Sequence, residues 1–416
     1  MLARGLEIKR QAASMSGHLA SAALVVALLL CLTFPFVFPA LSIDDSPSYL
    51  NPAREWAAGR GLREANAAPL QYRLPLYPLL LGSTLRIAGE SSVAIGLLNA
   101  LLHALSILLV RSVLPRQPRS DLLCAAALVY PPLLTTTGFV LQESLIAFTL
   151  AALFAATTRA LRPEASRGWG LAAGLALGAS ALAKTTVLPA GALLLLLLWR
   201  YAGTRRQTFA IIVGAALLLG PWIVHNWLTL GRFEMANGNA GINLFAGTVA
   251  NVLLPSWDTF PEYIEARGRW EKEGREAEPV FDHYLARLAM QRIAAEPLRW
   301  ADLALERAFR FMLPARQWFV VTGRSQTASA GPVYLAAIAI QMLLFGACAL
   351  LLIDGVRRSR DPSALVAPLI VFSHQFVYAA SHASPRYGAT VGPILFASLA
   401  LVTLPSSGRA IHAVSP

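Results

Sequence analysis

Leu74-Pro75-Leu76-Tyr77-Pro78-Leu79-Leu80-Leu81-Gly82-Ser83-Thr84-Leu85-Arg86-Ile87 is an apolar run containing two prolines, and whether it crosses a membrane decides the topology of the whole chain. A helix spanning ~30 Å of hydrocarbon needs ~20 apolar residues, and a run of roughly 10–14 is more often interfacial. Ten further apolar segments surround it, at about 19–38, 91–110, 121–138, 144–161, 169–183, 187–199, 208–228, 332–353, 363–382 and 388–405. If 74–87 stays on the surface, the basic loops all fall on the side of the N-terminus, which itself carries Arg4, Lys9 and Arg10. These loops hold Arg111, Arg116 and Arg119; Arg159, Arg162 and Arg167; Arg200, Arg205 and Arg206; and Arg357, Arg358 and Arg360. That is the positive-inside pattern of cytoplasmic loops. If 74–87 crosses, every later loop inverts and the pattern fails. The expected topology is therefore ten spans with both termini cytoplasmic, and 74–87 lying on the outer face.

Composition agrees. Of 416 residues, 56% are hydrophobic and only 14% charged, and the mean hydropathy is +0.54. A soluble domain carries roughly 25% charged residues, so most of this chain must touch lipid. The expected fold class is all-α and polytopic. The net charge of +12 would suggest a nucleic-acid partner in a soluble protein. Here the loop arginines account for it, and no nucleic acid is expected. Cys31, Cys124 and Cys348 each lie in an apolar run and read as packing residues. The first span is too long for a signal peptide, and Phe34-Pro35-Phe36-Val37-Phe38-Pro39 is too bulky for a cleavage region. Three regions are expected: a core at 1–228 that includes the outer loop 40–90, an outer loop at 229–330, and a C-terminal group of spans at 331–416.

Directly after the first span comes Ile43-Asp44-Asp45-Ser46-Pro47-Ser48-Tyr49, two adjacent carboxylates where the helix leaves the bilayer. One reading is a helix cap, with Asp45 or Ser46 opening a helix at Pro47. The other is the catalytic edge of a membrane enzyme. Topology adds to the second reading. Glu143, Lys184, Arg386 and Tyr387 stand at turns of the same outer face, and Arg73 opens the 74–87 segment. Taken singly, Glu143 suits a helix N-terminus and Lys184 can snorkel to the interface. As a set, a carboxylate can act as general base on an acceptor hydroxyl, and Arg and Lys can hold a departing lipid phosphate. The histidines do not suggest a metal centre. His374 and His382 are eight residues apart, and His103 with Asn99 should pair with each other or with a neighbouring helix. In the long outer loop, Asn237-Gly238-Asn239-Ala240-Gly241-Ile242-Asn243 should not be regular helix. Phe281 to Phe311 should form one or two amphipathic helices with their arginines turned to lipid head groups.

The order of these features resembles the GT-C superfamily of polytopic glycosyltransferases, in particular bacterial relatives of protein O-mannosyltransferase and of the lipid A aminoarabinose transferase. Members carry a catalytic Asp after the first span with Tyr four residues on, as Asp45 and Tyr49 stand here. Asp45 is the first choice for that role and Asp44 the second. A Gly-x-Gly and a basic-Pro-Tyr-Pro segment follow in the family, like Gly59-Arg60-Gly61 and Arg73-Leu74-Pro75-Leu76-Tyr77-Pro78 here. A second acid opens the fourth span, where Glu143 stands. A small-residue run before a polar turn matches Gly170 through Lys184. Pro221-Trp222 with Asn226, and Asp282-His283-Tyr284, also match in order. Two departures are Ser46, where relatives have Glu, and His225, where an Arg usually precedes the Asn.

The resemblance implies an inverting transferase in the cell inner membrane, moving a sugar from a polyprenyl-phosphate donor to a glycan, lipid or protein acceptor on the outer face. Asp45, Asp44 and Glu143 would be catalytic, and Tyr49, Arg73, Tyr77, Lys184, Arg386 and Tyr387 would bind substrate. No cofactor or metal is expected; a divalent cation at Asp44/Asp45 is the alternative. A transporter or flippase would instead show ionisable residues within spans and paired broken helices. A non-catalytic binder of lipid-linked glycan would have lost the acidic pair.

Overall fold

The computed structural model describes residues 2–43, 45–162, 164–201, 205–231, 233, 239–249, 260–274, 280–314, 331–357 and 362–403. Asp44, Arg358, Arg360, Asn237 and Gly238 lie outside them. Among the described residues the chain is all-helical, with two isolated bridges in place of any sheet. The helices are α1 Leu2–Val37, α2 Pro47–Ala57, α3 Leu76–Ala88, α4 Ser92–Arg111, α5 Pro118–Val129, α6 Glu143–Ala160, α7 Arg167–Ala183, α8 Leu188–Arg200 and α9 Arg205–Leu230. They continue as α10 Ala240–Val249, α11 Pro261–Arg269, α12 Phe281–Ala295, α13 Pro297–Met312, α14 Pro332–Arg357, α15 Ser363–Ala380 and α16 Gly392–Val402.

The bundle is organised around α6, of whose 18 residues 15 are buried. It packs on α4, α7, α15 and α16. Helices at the rim instead expose apolar side chains, such as Leu29 and Val25 on α1 and Phe209, Leu217 and Leu228 on α9. Only lipid accommodates such faces on a helix whose backbone bonds are internal. This is a polytopic membrane protein. Helices α7 and α9 meet through Gly170, Gly174 and Gly178; a Cβ on Gly174 would stand 2.2 Å from the carbonyl oxygen of Ile211. Small residues four apart allow this backbone approach.

All ten expected segments are helical, but five helices are long and apolar enough to cross alone: residues 14–37 of α1, and α4, α9, α14 and α15. The others are shorter, apart from α6, which has 18 residues but is less apolar. The segment expected at 121–138 breaks at Val129, because Tyr130 is extended ahead of Pro131-Pro132 and proline disfavours the helical conformation in the residue before it. The last segment is likewise a single turn, a 3-10 turn and then α16. The pivotal stretch forms α3, whose 13 residues reach about 20 Å, short of the bilayer's ~30 Å. It packs on α2, with Gly82 against Trp56 and the carbonyl of Ala53. Asn99 and His103 pair with neighbouring chain segments rather than with each other: Asn99 donates to the Phe139 carbonyl at 2.8 Å, and His103 Nε2 lies 3.3 Å from the Leu128 carbonyl.

In the outer loop, α10 to α12 share a small core of Ile242, Phe245, Phe260, Ala266, Tyr284, Leu285 and Ala289. Two expectations are corrected here. Helix begins inside the Gly/Asn-rich piece, at Ala240, because the Asp282 carboxylate accepts the N–H groups of Gly241 and Ile242, both at 2.9 Å. The arginines do not all face outward either. Arg307 on α13 is buried and donates to the carbonyls of Ala379 at 2.7 Å and Gly247 at 2.8 Å. Those carbonyls, near the ends of α15 and α10, need donors more than the guanidinium needs water.

Candidate active site

The loop after α1 is tied down before it reaches Asp45. The Leu41 N–H donates to the Gly138 carbonyl and the Val140 N–H to the Leu41 carbonyl, which lays residues 39–43 beside the strand-like piece leading into α6. Ser46 is fully buried; its hydroxyl donates to the Val140 carbonyl at 3.0 Å and accepts the Ile43 N–H at 2.9 Å. The helix-cap reading is thereby corrected. α2 does open with Pro47, but neither Asp45 nor Ser46 caps it with a side chain. The Asp45 carboxylate faces arginines.

Arg73 Nη2 donates to Asp45 Oδ1 at 2.8 Å, and Arg386 Nη2 donates to Asp45 Oδ2. These partners are 28 and 341 residues away in sequence. Arg73 Nε also donates to Ser48 Oγ at 2.7 Å, and its guanidinium covers the rings of Tyr49 at 4.4 Å and Tyr72 at 4.8 Å. On the far side of Arg386 lies Glu143, the first residue of α6, with Oε1 3.3 Å from Arg386 Nε in an ion pair without an aligned hydrogen bond. Glu143 is 5% exposed and its Oε2 is buried without a hydrogen-bond partner. Lys184, just past the end of α7, points its ammonium at the rings of Tyr387 at 4.5 Å and Tyr378 at 5.1 Å, which stack on each other at 4.4 Å.

The electrostatics follow from this crowding. Burial alone would raise the Asp45 carboxyl, but Arg386 and Arg73 outweigh it and hold it at about 2. Burial lowers Lys184 from the usual lysine range. Burial would raise the Tyr387 phenol, but Arg386 and Lys184 bring it down. Burial, with Arg386 and Lys184 close by, holds His382 at about 4, so it is neutral at physiological pH. Three cations and two carboxylates leave the cluster with a net positive charge, which suits an incoming phosphate. Both Asp45 oxygens are taken by guanidiniums. Among the described residues no group of three or more His, Cys, Asp or Glu stands together.

Asp45, Tyr49, Arg73, Glu143, Lys184, Arg386 and Tyr387 thus meet at one end of the bundle. Tyr77 does not face their open side; it is fully buried behind Tyr49, edge-on at 5.4 Å, and its hydroxyl contacts Asn99 at 3.3 Å. Asp44 lies outside the described residues. Sequence reasoning missed Ser48, Tyr72 and Tyr378. Only Ser48 carried a local signal, being one helical turn after Asp45, whose carbonyl its hydroxyl bonds at 2.6 Å.

No family model and no curated protein sequence matches this chain. Among solved structures it is similar to ArnT from Cupriavidus metallidurans bound to undecaprenyl phosphate, with 17% identity over 90% of this chain and 77% of that one and a TM-score of 0.45. The apo state of ArnT gives 16%, 93%, 78% and 0.44. The archaeal oligosaccharyltransferase AglB from Archaeoglobus fulgidus, in complex with an inhibitory peptide and a dolichol-phosphate, gives 13% identity over 92% of this chain and a TM-score of 0.53. The chain spans 50% of the length of AglB. The likeness to AglB is one of fold.

Proposed function

We propose that this chain is a glycosyltransferase of the inner membrane that moves a sugar from a polyprenyl-phosphate donor to a hydroxyl on the outer face, with both termini cytoplasmic. The observation that carries this reading is Asp45 held between Arg73 and Arg386, with Glu143 and Lys184 alongside. ArnT was solved with undecaprenyl phosphate and AglB with a dolichol-phosphate, so an isoprenoid phosphate is the ligand class the fold's known examples suggest.

The acceptor hydroxyl oxygen attacks the anomeric carbon and its proton passes to the Asp45 carboxylate. The bond from that carbon to the phosphate oxygen breaks, and the polyprenyl phosphate departs as an anion held by Arg386, Arg73 and Lys184. A single displacement inverts the anomeric centre. Paired to two guanidiniums, Asp45 is too weak a base for this. A donor phosphate competes for the same guanidiniums, and as they turn to it the carboxylate regains basicity. The donor therefore binds first. Glu143 keeps Arg386 directed at the cluster. Charge on the leaving group is met by fixed cations, and transfer proceeds without a metal. General-base catalysis of this type contributes ~10²–10⁴-fold.

The test is direct. Cells lacking the protein should accumulate one polyprenyl-phosphate sugar. That lipid, supplied together with an envelope extract containing acceptor to purified protein in nanodiscs with EDTA, should be turned over to free polyprenyl phosphate and glycosylated acceptor. No accumulation and no turnover of any such lipid would sink the reading.

A further inference from the structure

A cleft of about 590 Å³ opens beside the cluster on its outer side, between the loop at 64–72 and helices α10 and α12. No residue of the membrane-spanning helices lines it. Its walls are aromatic and aliphatic, including Tyr72, Tyr263 and Phe281, and its described polar groups include two carboxylates, Glu64 and Asp282. The described lining contains no Lys or Arg. Tyr72 joins the cleft to the cluster, because Arg73 sits over its ring at 4.8 Å while binding Asp45 at 2.8 Å.

We infer that this cleft holds the acceptor, and that the acceptor is an uncharged saccharide offering a hydroxyl rather than a phosphorylated one. The inference rests on the proposed transferase reading. A lipid tail enters from the bilayer, so a cleft built only of outer elements takes a head group. Aromatic faces pack against the C–H face of a sugar ring. Glu64 uses one oxygen, Oε1, to accept the N–H groups of both Gln71 and Tyr72, at 3.0 and 2.9 Å, which fixes the carboxylate and leaves Oε2 for hydroxyl donors. Asp282 is fixed through both of its oxygens, Oδ2 accepting the Gly241 N–H and Oδ1 that of Ile242. Two anchored carboxylates, with no Lys or Arg among the described lining and His283 as its imidazole, repel a phosphate. The cations instead cluster beyond Tyr72, where the donor phosphate leaves. A sugar seated against Tyr72 directs its hydroxyl toward Asp45.

The test uses protein in nanodiscs saturated with undecaprenyl phosphate and a panel of methyl hexosides with their 6-phosphates, read by saturation-transfer NMR. Neutral hexosides should bind at least tenfold more tightly than the phosphates. Ala68→Trp fills the cleft without removing a polar group and should abolish hexoside binding, while undecaprenyl phosphate still binds. Glu64→Gln should narrow the discrimination against the phosphates. The same hexose on a diacylglycerol, compared with the soluble glycoside, tells whether the saccharide is presented as a lipid head group. Equal or tighter binding of the phosphates, no hexoside binding, or hexoside binding indifferent to Ala68→Trp overturns the inference. Failure to bind undecaprenyl phosphate is the separate result that counts against the transferase reading.

Discussion

Replacing Arg386 with glutamine removes the side chain that faces Asp45 and Glu143 together. Asp45 keeps Arg73, but Glu143 is left 5% exposed with no cation within ion-pair distance among the described residues. Removing one partner of a buried pair costs ~3–5 kcal/mol, whereas removing both can be nearly neutral. Arg386 retains 18% side-chain exposure, so a loss of about 2–3 kcal/mol is expected. Turnover should fall independently of this. Charge-assisted bonds from the lost guanidinium to the donor phosphate are worth ~1.5–3 kcal/mol, or roughly 10–100-fold in rate. The two effects separate in the double variant Arg386→Gln/Glu143→Gln, which has no orphaned carboxylate. Thermal stability should largely recover, while transfer from the polyprenyl-phosphate sugar stays at least tenfold down. Glu143→Gln alone leaves Arg386 on Asp45 and should slow transfer only severalfold. Turnover that recovers along with stability in the double variant would make Arg386 a structural residue and refute the phosphate clamp.

Asp45→Asn should still insert, at some cost in stability because the buried Arg73 loses its ion-pair partner, yet lose transfer by about 100-fold or more, with Asp44→Asn near normal; the reverse pattern would move the base by one residue. Lys184 has a lowered pKa, so its proton is lost as pH rises through a value below the usual lysine range, and the donor KM should rise there. Lys184→Arg, protonated throughout, should remove that pH dependence, and an unchanged profile would take Lys184 out of the donor site. Ala88→Cys should be labelled by impermeant reagents only from outside and Arg116→Cys only from the cytoplasm. The cysteine goes at Ala88 because neighbouring Gly89 has φ +66°, where a side chain is strained. Labelling of both from one side would overturn the topology.

The convergence of Asp45, Glu143, Lys184 and Arg386 was legible in the sequence because topology alone collects turns onto one face, whatever their separation. The pairing among them was not. Arg386 and Asp45 are 341 residues apart, and no local pattern says that one carboxylate takes two guanidiniums. The same limit explains the corrected elements. Gly241 and Asn243 signal a poor helix locally, and it is Asp282, about 40 residues on, that supplies the missing acceptor for the first N–H groups. The run 121–138 is mostly apolar, and hydropathy outweighed Pro131-Pro132, which end α5 at Val129. Arg307 reads from its helix face as an outward cation. Its inward turn is set by carbonyls on two other helices.

Those carbonyls explain what the outer helices do for the membrane bundle. Where α15 ends, its last carbonyls lack partners in the helix ladder. Arg307 takes the Ala379 carbonyl and Trp300 Nε1 takes that of Ala380 at 3.2 Å, both from α13. Burial brings Arg307 down to about 10, so it remains charged at neutral pH, at the helix end where the dipole favours a cation. Backbone contacts close the same joint. A Cβ on Gly247 would lie 2.1 Å from the Ser381 carbonyl oxygen, and one on Gly388 would lie 2.2 Å from that of Phe311. Residues 381–388, which carry Arg386 and Tyr387, are therefore held from outside by α10 and α13. From below, α6 fixes Glu143, and α1 with the piece before α6 fixes the turn of Asp45. The clamp proposed for the donor phosphate would thus be built where the membrane bundle and the outer helices meet, and the cleft assigned to the acceptor is walled by α10 and α12 of the same outer unit. Loosening the joint at Arg307 should misplace Arg386 without touching any group that meets substrate, which is why the outer helices belong to the site's scaffold.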